Sequence, residues 1–89
     1  MKVVISRTLD EAAVGVSARV DAVALEPELS AWLAAVGIAK GETVVVLRRA
    51  AFGGPIHVRI GSGGEFAVAR TLAHAITIDV EGVSTEKSA

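Results

Sequence analysis

Apolar residues recur along this chain in short bursts, and their spacing changes from burst to burst. In PELSAWLAAVGI, the residues Leu29, Trp32, Leu33 and Val36 fall at i, i+3, i+4 and i+7, the single stripe of a helix over 27–36. Pro27 suits the first helical position, where its missing N–H would be unpaired anyway. Gly37 can take the left-handed conformation that ends a helix, and Ile38 can fold back onto the last turn. The stripe puts Trp32 in the core. Upstream, SARVDAVAL alternates loosely and reads as a strand over 17–25, with Val20, Ala22 and Ala24 on one face and Arg19, Asp21, Val23 and Leu25 on the other. Downstream, TVVVLRR (43–49), IHVRI (56–60), EFAVA (65–69) and AITIDV (75–80) read as strands, and RTLAHA as a single helical turn. Thr8 opens a short N-terminal helical turn over LDEAA, with Glu11 as its capping-box partner. Gly15 ends that turn. EGVSTEKSA (81–89) is a polar tail expected to be disordered.

About five short strands with one inserted helix leave edges that need closure or cover. The expected fold is therefore mainly β: a small, highly bent barrel with the helix plugging one side. Neither an internal repeat nor a linker divides the chain, so residues 1–80 read as one domain.

Composition narrows this further. The chain has 89 residues, 52% of them apolar, yet only one Trp, two Phe and no Tyr. Small aliphatic side chains must fill the core, which suits a narrow barrel. Cysteine is absent, which removes disulfides and thiolate chemistry and points to a reducing cytoplasm. No apolar run approaches the roughly 20 residues of a membrane helix, and the N-terminus is too polar after Ile5 for a signal peptide. Net charge is −1, so the chain as a whole does not resemble a nucleic-acid binder. The middle is nonetheless basic: Lys40, Arg48, Arg49, Arg59 and Arg70 face only Glu42 and Glu65 between positions 40 and 70.

The most conspicuous local feature is AAFGGPIHV. A phosphate cradle needs its glycines directly before a helix. Gly53-Gly54-Pro55 and Gly61-Ser62-Gly63-Gly64 are each followed by a strand, so both read as hairpin loops. Pro55 starts the next strand where no N–H is needed. Ser62 has no recognisable base beside it, and no other residues form a catalytic constellation, so no enzyme and no cofactor are expected. Metal ligation would need His57 and His74 to converge with Glu65 or Asp79 from separate elements, and no sequence spacing builds such a site. Three aromatic residues are too few for a proline-rich peptide groove or a single-strand stacking platform. What remains is a protein-binding surface: Arg48, Arg49, Phe52, His57 and Arg59 cluster around the turn made by Gly53, Gly54 and Pro55, with an exposed Phe beside several Arg as its anchor. The alternative is that Phe52 caps the barrel end.

The order of parts resembles the ferrous iron transport protein A (FeoA) family over residues 8–80. The resemblance is carried by Leu33, Gly37 and Ile38 at the helix end, by Gly41, Val44 and Val46, and by the Gly53-Gly54-Pro55 loop with Ile56 and Val58 behind it. Gly61, Arg70, Ala73, Ile76 and Val80 complete it. The run FAVAR departs from the Ala-Leu that often precedes the arginine, a conservative change. The resemblance implies a Src-homology-3-like barrel. It also implies a small cytoplasmic accessory that binds the cytosolic, GTPase-containing region of the ferrous iron transporter FeoB and modulates Fe(II) uptake. The same domain type ends metal-dependent transcriptional repressors. With Met1 at its start and no upstream helix-turn-helix, the chain is expected to be the accessory. A metal-sensing module and a homo-oligomer joined through an open strand edge stand as further readings.

Overall fold

A computed structural model of the chain describes residues 2–83. The element order is β1 (Lys2–Thr8), a 3-10 turn (Leu9–Glu11), β2 (Ser17–Val23), α1 (Pro27–Ala35), β3 (Thr43–Arg49), β4 (Ile56–Ile60), β5 (Glu65–Val68), α2 (Arg70–His74) and β6 (Ile76–Val83). The six strands form one antiparallel sheet in the order β1-β6-β2-β3-β4-β5. The fold is mainly β, as expected, but among the described residues the sheet has six strands rather than five and does not close, and its edge strands are β1 and β5.

The additional strand is KVVISRT. Its central Val3-Val4-Ile5 lacks strict alternation, and it was legible only as the polar-flanked start of the chain. It pairs with β6 through an unbroken register from Lys2↔Val83 to Thr8↔Thr77. The last strand accordingly runs past the expected end at 80, and positions 81–83 of the expected tail belong to it. The rest of that tail lies outside the described residues.

Val20, Val44, Val46, Ile56, Val58, Ile76 and Ile78 form the buried core, with Leu9, Leu33 and Ile38 closing it. Two β-bulges decide which residues reach it. In β2 the register steps from Val20↔Ile78 to Ala22↔Thr77, so Asp21 is the extra residue. Ahead of the bulge Ala18 and Val20 point inward; beyond it Val23 and Leu25 pack against the core, and Ala22 and Ala24 are exposed. The expected face of Val20, Ala22 and Ala24 is therefore split, because a bulge resets the period-two alternation. In β3 the step lies between Val46↔Val58 and Arg48↔His57, with Leu47 extra.

Helix α1 ends as the pattern predicts. Gly37 has φ +107°, its N–H donates to the Ala34 carbonyl at 3.0 Å, and the Ile38 N–H donates to the Leu33 carbonyl at 2.9 Å. This pair of bonds satisfies orphan carbonyls, and buried Ile38 folds back beside buried Leu33. A side chain at 37 would also collide with Ile60, whose Cδ1 lies 2.3 Å from where its Cβ would sit. Trp32 corrects the expectation. It is 58% exposed, because it lies about 100° around the helix from Leu33, at the rim of an apolar arc centred on Leu29, Leu33 and Val36. It overhangs a cleft of about 270 Å³ lined also by Val36, Phe66, Val68 and Leu72. No described helix is long and apolar enough to cross a membrane.

The N-terminal turn also departs from expectation. Thr8 makes no capping bond, and Glu11 does not close a capping box. The Thr8 hydroxyl donates instead to the Asp10 carboxylate. Thr8 is also the last residue of β1, opposite Thr77, so the turn starts directly from the sheet.

Candidate functional site

The β3–β4 hairpin carries the residues singled out in the sequence. Its tip is a tight turn in which the Gly54 N–H donates to the Ala51 carbonyl at 3.1 Å. The two central residues, Phe52 (φ +58°) and Gly53 (φ +74°), are both left-handed. That is the φ pattern of a hairpin turn matched to strand twist, which usually carries Asn-Gly. Glycine takes such angles freely; phenylalanine does so at a cost of about 1–2 kcal/mol. Phe52 is 105% exposed, so it does not cap the barrel end and no burial offsets the strain. Gly54 is confined differently: a Cβ there would sit 2.7 Å from the Ala50 Cβ.

Pro55 leaves an unmet acceptor in this loop. The Ala50 N–H donates to the Pro55 carbonyl at 3.0 Å, but proline has no N–H to return to Ala50. Arg70, the first residue of α2, fills the gap. Its Nη2 donates to the Ala50 carbonyl at 3.3 Å and its Nε to the Gly54 carbonyl at 3.2 Å. One guanidinium thus pins both sides of the loop, using its forked donors. Position 70 was legible as part of the family pattern, but its partners are sixteen and twenty residues away, beyond any local spacing rule.

The bulge at Leu47 sorts the arginines. Arg48 stands opposite half-buried His57 on the outer face of the hairpin, and exposed Arg59 lies two residues along β4 on that face. Arg49 stands opposite buried Ile56 and turns under the sheet. Its Nε donates to the Asp10 carbonyl at 3.2 Å, and its Nη2 donates to the Ala12 carbonyl. Arg48, Phe52, His57 and Arg59 therefore share the exposed hairpin with Gly53, Gly54 and Pro55. Arg49 does not join them, because it holds the N-terminal turn in place.

The histidines and carboxylates do not converge as the metal reading required. Among the described residues no group of three His, Asp or Glu side chains could hold an ion. Asp79 accepts from the Ser6 hydroxyl at 2.7 Å, and His57 stands on β4 opposite Ala67. His74, with its side chain 71% exposed, lies 3.1 Å through Nδ1 from the Asp10 carboxylate. Burial alone would raise the Asp10 pKa, but the hydrogen bonds from Thr8 and His74, with the charge of His74, bring it below the ordinary carboxylate value.

Residues 7–80 match the model of the FeoA domain. The chain belongs to the FeoA family. Solved structures agree with this. FeoA from Chlorobium tepidum is 30% identical, with a TM-score of 0.80 over 93% of this chain and 79% of its own. FeoA from Stenotrophomonas maltophilia, a prokaryotic SH3-domain protein solved with zinc, is 26% identical, with a TM-score of 0.71 over 85% of this chain and 95% of its own. A manganese-dependent transcriptional repressor is 26% identical, with a TM-score of 0.75 over 84% of this chain but 41% of its own. No curated protein sequence matches significantly. The FeoA membership gives the open sheet its place among SH3-like folds and associates the chain with ferrous iron transport.

Proposed function

We propose that this FeoA protein is a small cytoplasmic accessory, without catalytic chemistry of its own, that modulates Fe(II) uptake by docking on the cytosolic, GTPase-containing region of the FeoB transporter. The docking element is the β3–β4 hairpin. The observation that carries this reading is Phe52: a fully exposed aromatic held at positive φ on a loop fixed from below by Arg70. An aromatic side chain with two rotatable bonds loses little entropy on binding, and a rigid loop loses less than a mobile one. Arg48 and His57, an outward pair below the tip, and Arg59 further along β4 supply donors suited to a polar or acidic rim. Calorimetric titration of the whole chain with the cognate GTPase-containing region, with and without nucleotide, tests this. Binding that weakens at least about tenfold on Phe52→Ala, roughly 1.4 kcal/mol, is expected of a central anchor. Absence of binding between well-folded partners would overturn it.

The pair formed by Asp10 and His74 favours a second reading, a metal-responsive regulatory domain like the barrel that ends metal-dependent repressors. Its two ligating atoms already lie 3.1 Å apart, so a divalent ion would need further donors from a ligand or partner. Anaerobic Fe(II) and Mn(II) titrations of the wild type and of His74→Ala distinguish the readings. An affinity indifferent to His74 removes this one.

A further inference from the structure

The two free edges of the sheet are built differently. β5 is four residues long and runs from a tight turn almost directly into α2, and an edge this short offers little backbone to a partner. β1 is seven residues long, pairs with β6 without a register break, and contains neither proline nor glycine. The devices that normally blunt an edge are missing between Val3 and Ile5: charge, proline and bulge. Apolar side chains flank this edge on both faces, with Val4 63% exposed on one and Ile5 42% exposed on the other. The pairing of β6 with β2 ends at Asp79, whereas its pairing with β1 continues to Val83. The outer half of β1 therefore stands on a two-stranded ribbon that runs beyond the rest of the sheet.

Self-pairing of such an edge is restricted by parity. In a strand the outward N–H and C=O groups belong to alternate residues, so antiparallel partners directly opposite each other must be of the same class. Two copies of β1 about a two-fold axis can set Val4 opposite Val4, or Ile5 opposite Ile5, but not Val4 opposite Ile5. The register centred on Ile5 places Arg7 against Val3, a charge against an apolar side chain. The register centred on Val4 places Val3 against Ile5 twice on the face that continues to Val80 and the core, and brings the two Val4 side chains together on the other face.

We propose that β1 is a self-recognition edge, and that two copies of this chain join through antiparallel β1–β1 pairing with Val4 opposite Val4. A second copy is the fitting occupant because one contact removes the exposed edge from both partners, supplies an uncharged Val3–Ser6 stretch with apolar residues on both faces, and sets Lys2 opposite Ser6 rather than opposite an apolar side chain. The ladder covers about five residue pairs, less than the roughly 800 Å² per partner of a standard stable interface, so the dimer is weak and concentration-dependent. It does not depend on the transporter reading.

Sedimentation of the whole chain over about a hundredfold concentration range tests it. The wild type is expected to move from monomer toward dimer, and Val4→Lys to remain monomeric with unchanged circular dichroism. The chain has no cysteine, so Val4→Cys introduces a single thiol. Opposed Cα atoms lie within the reach of a disulfide, whereas two Ile5 positions are displaced along the strand by roughly 7 Å in this register. Val4→Cys is therefore expected to oxidise to a covalent dimer at least about tenfold faster than Ile5→Cys or the helix-surface control Ala31→Cys. A wild type monomeric at every concentration, a dimer that survives Val4→Lys, or equal cross-linking at Ala31→Cys overturns the proposal. Faster cross-linking at Ile5→Cys overturns the register. Pairing of β1 with a foreign strand alone would give the monomeric result.

Discussion

The tip of the β3–β4 hairpin and the edge of β1 are both exposed and both apolar, but they offer a partner different things. The hairpin offers one side chain, Phe52, in a fixed position. The edge offers a row of backbone groups with small aliphatic residues beside it. Contact through the hairpin depends on the identity of a single residue and on the loop that aims it; contact through the edge depends on strand length, parity and the absence of charge. Recognition of a particular foreign surface fits the first, and recognition of a like strand fits the second.

Substitutions should separate these two regions. The largest expected effect lies in neither. Gly37→Ala meets Ile60 and cannot hold its positive φ without strain, so a loss of about 2–3 kcal/mol in chemical denaturation is expected. It would weaken both proposed contacts together and serves as the control for global damage. Arg70→Ala comes next. It removes the two bonds that pin Ala50 and Gly54 and should cost about 1.5–3 kcal/mol. Faster amide exchange at Ala50 and Gly54 with no change at β1 would show that the clamp belongs to the hairpin alone. Asp10→Asn should cost about 1 kcal/mol by weakening the contacts to Thr8 and His74. The sign of its pH dependence follows from the lowered folded pKa. The stability Asp10 contributes is fully present above its unfolded value of about 3.9 and is lost as pH falls through the lower folded one. The stability difference between wild type and Asp10→Asn should therefore shrink in acid. The smallest effect has the opposite sign. Phe52→Asn relieves the left-handed strain and should raise stability by about 0.5–1 kcal/mol. If partner binding falls while thermal stability rises, the hairpin holds its aromatic at the expense of the fold; if stability falls as well, Phe52 has a structural role.

Regular local patterns were readable from the chain, and tertiary interruptions were not. The helix over Pro27–Ala35, its glycine terminator with Ile38 behind it, and the strand Ile56–Ile60 follow from spacing and cap chemistry alone. Trp32 was misplaced because an i, i+3, i+4, i+7 stripe marks an arc without saying how wide an arc the sheet covers. The N-terminal strand was missed because Val3-Val4-Ile5 shows no alternation, and β1 is recognisable mainly through β6, at the opposite end of the described residues. Of the candidate hairpin residues, Arg48, Phe52, His57 and Arg59 lie on the exposed hairpin, whereas Arg49 does not. The bulge that turns Arg49 under the sheet depends on the register with β4, which no local pattern encodes. The grip of Arg70 on the loop was hidden for the same reason, although the missing N–H of Pro55 was visible and marked an acceptor in need of a donor.

The bulges also determine where the chain can change in length. Removing a residue from a paired strand transposes every later side chain to the other face. Leu47 is an exception, since its neighbours Val46 and Arg48 already stand opposite the consecutive residues Val58 and His57. A chain shortened by Leu47 alone would keep Arg48 outward and Arg49 beneath the sheet, losing only some of the strand's bend. Asp21 occupies the equivalent place in β2. Deletions at these two positions should be tolerated, whereas deletions in the regularly paired stretches, such as Val58 or Ile78, would turn the following residues to the wrong face.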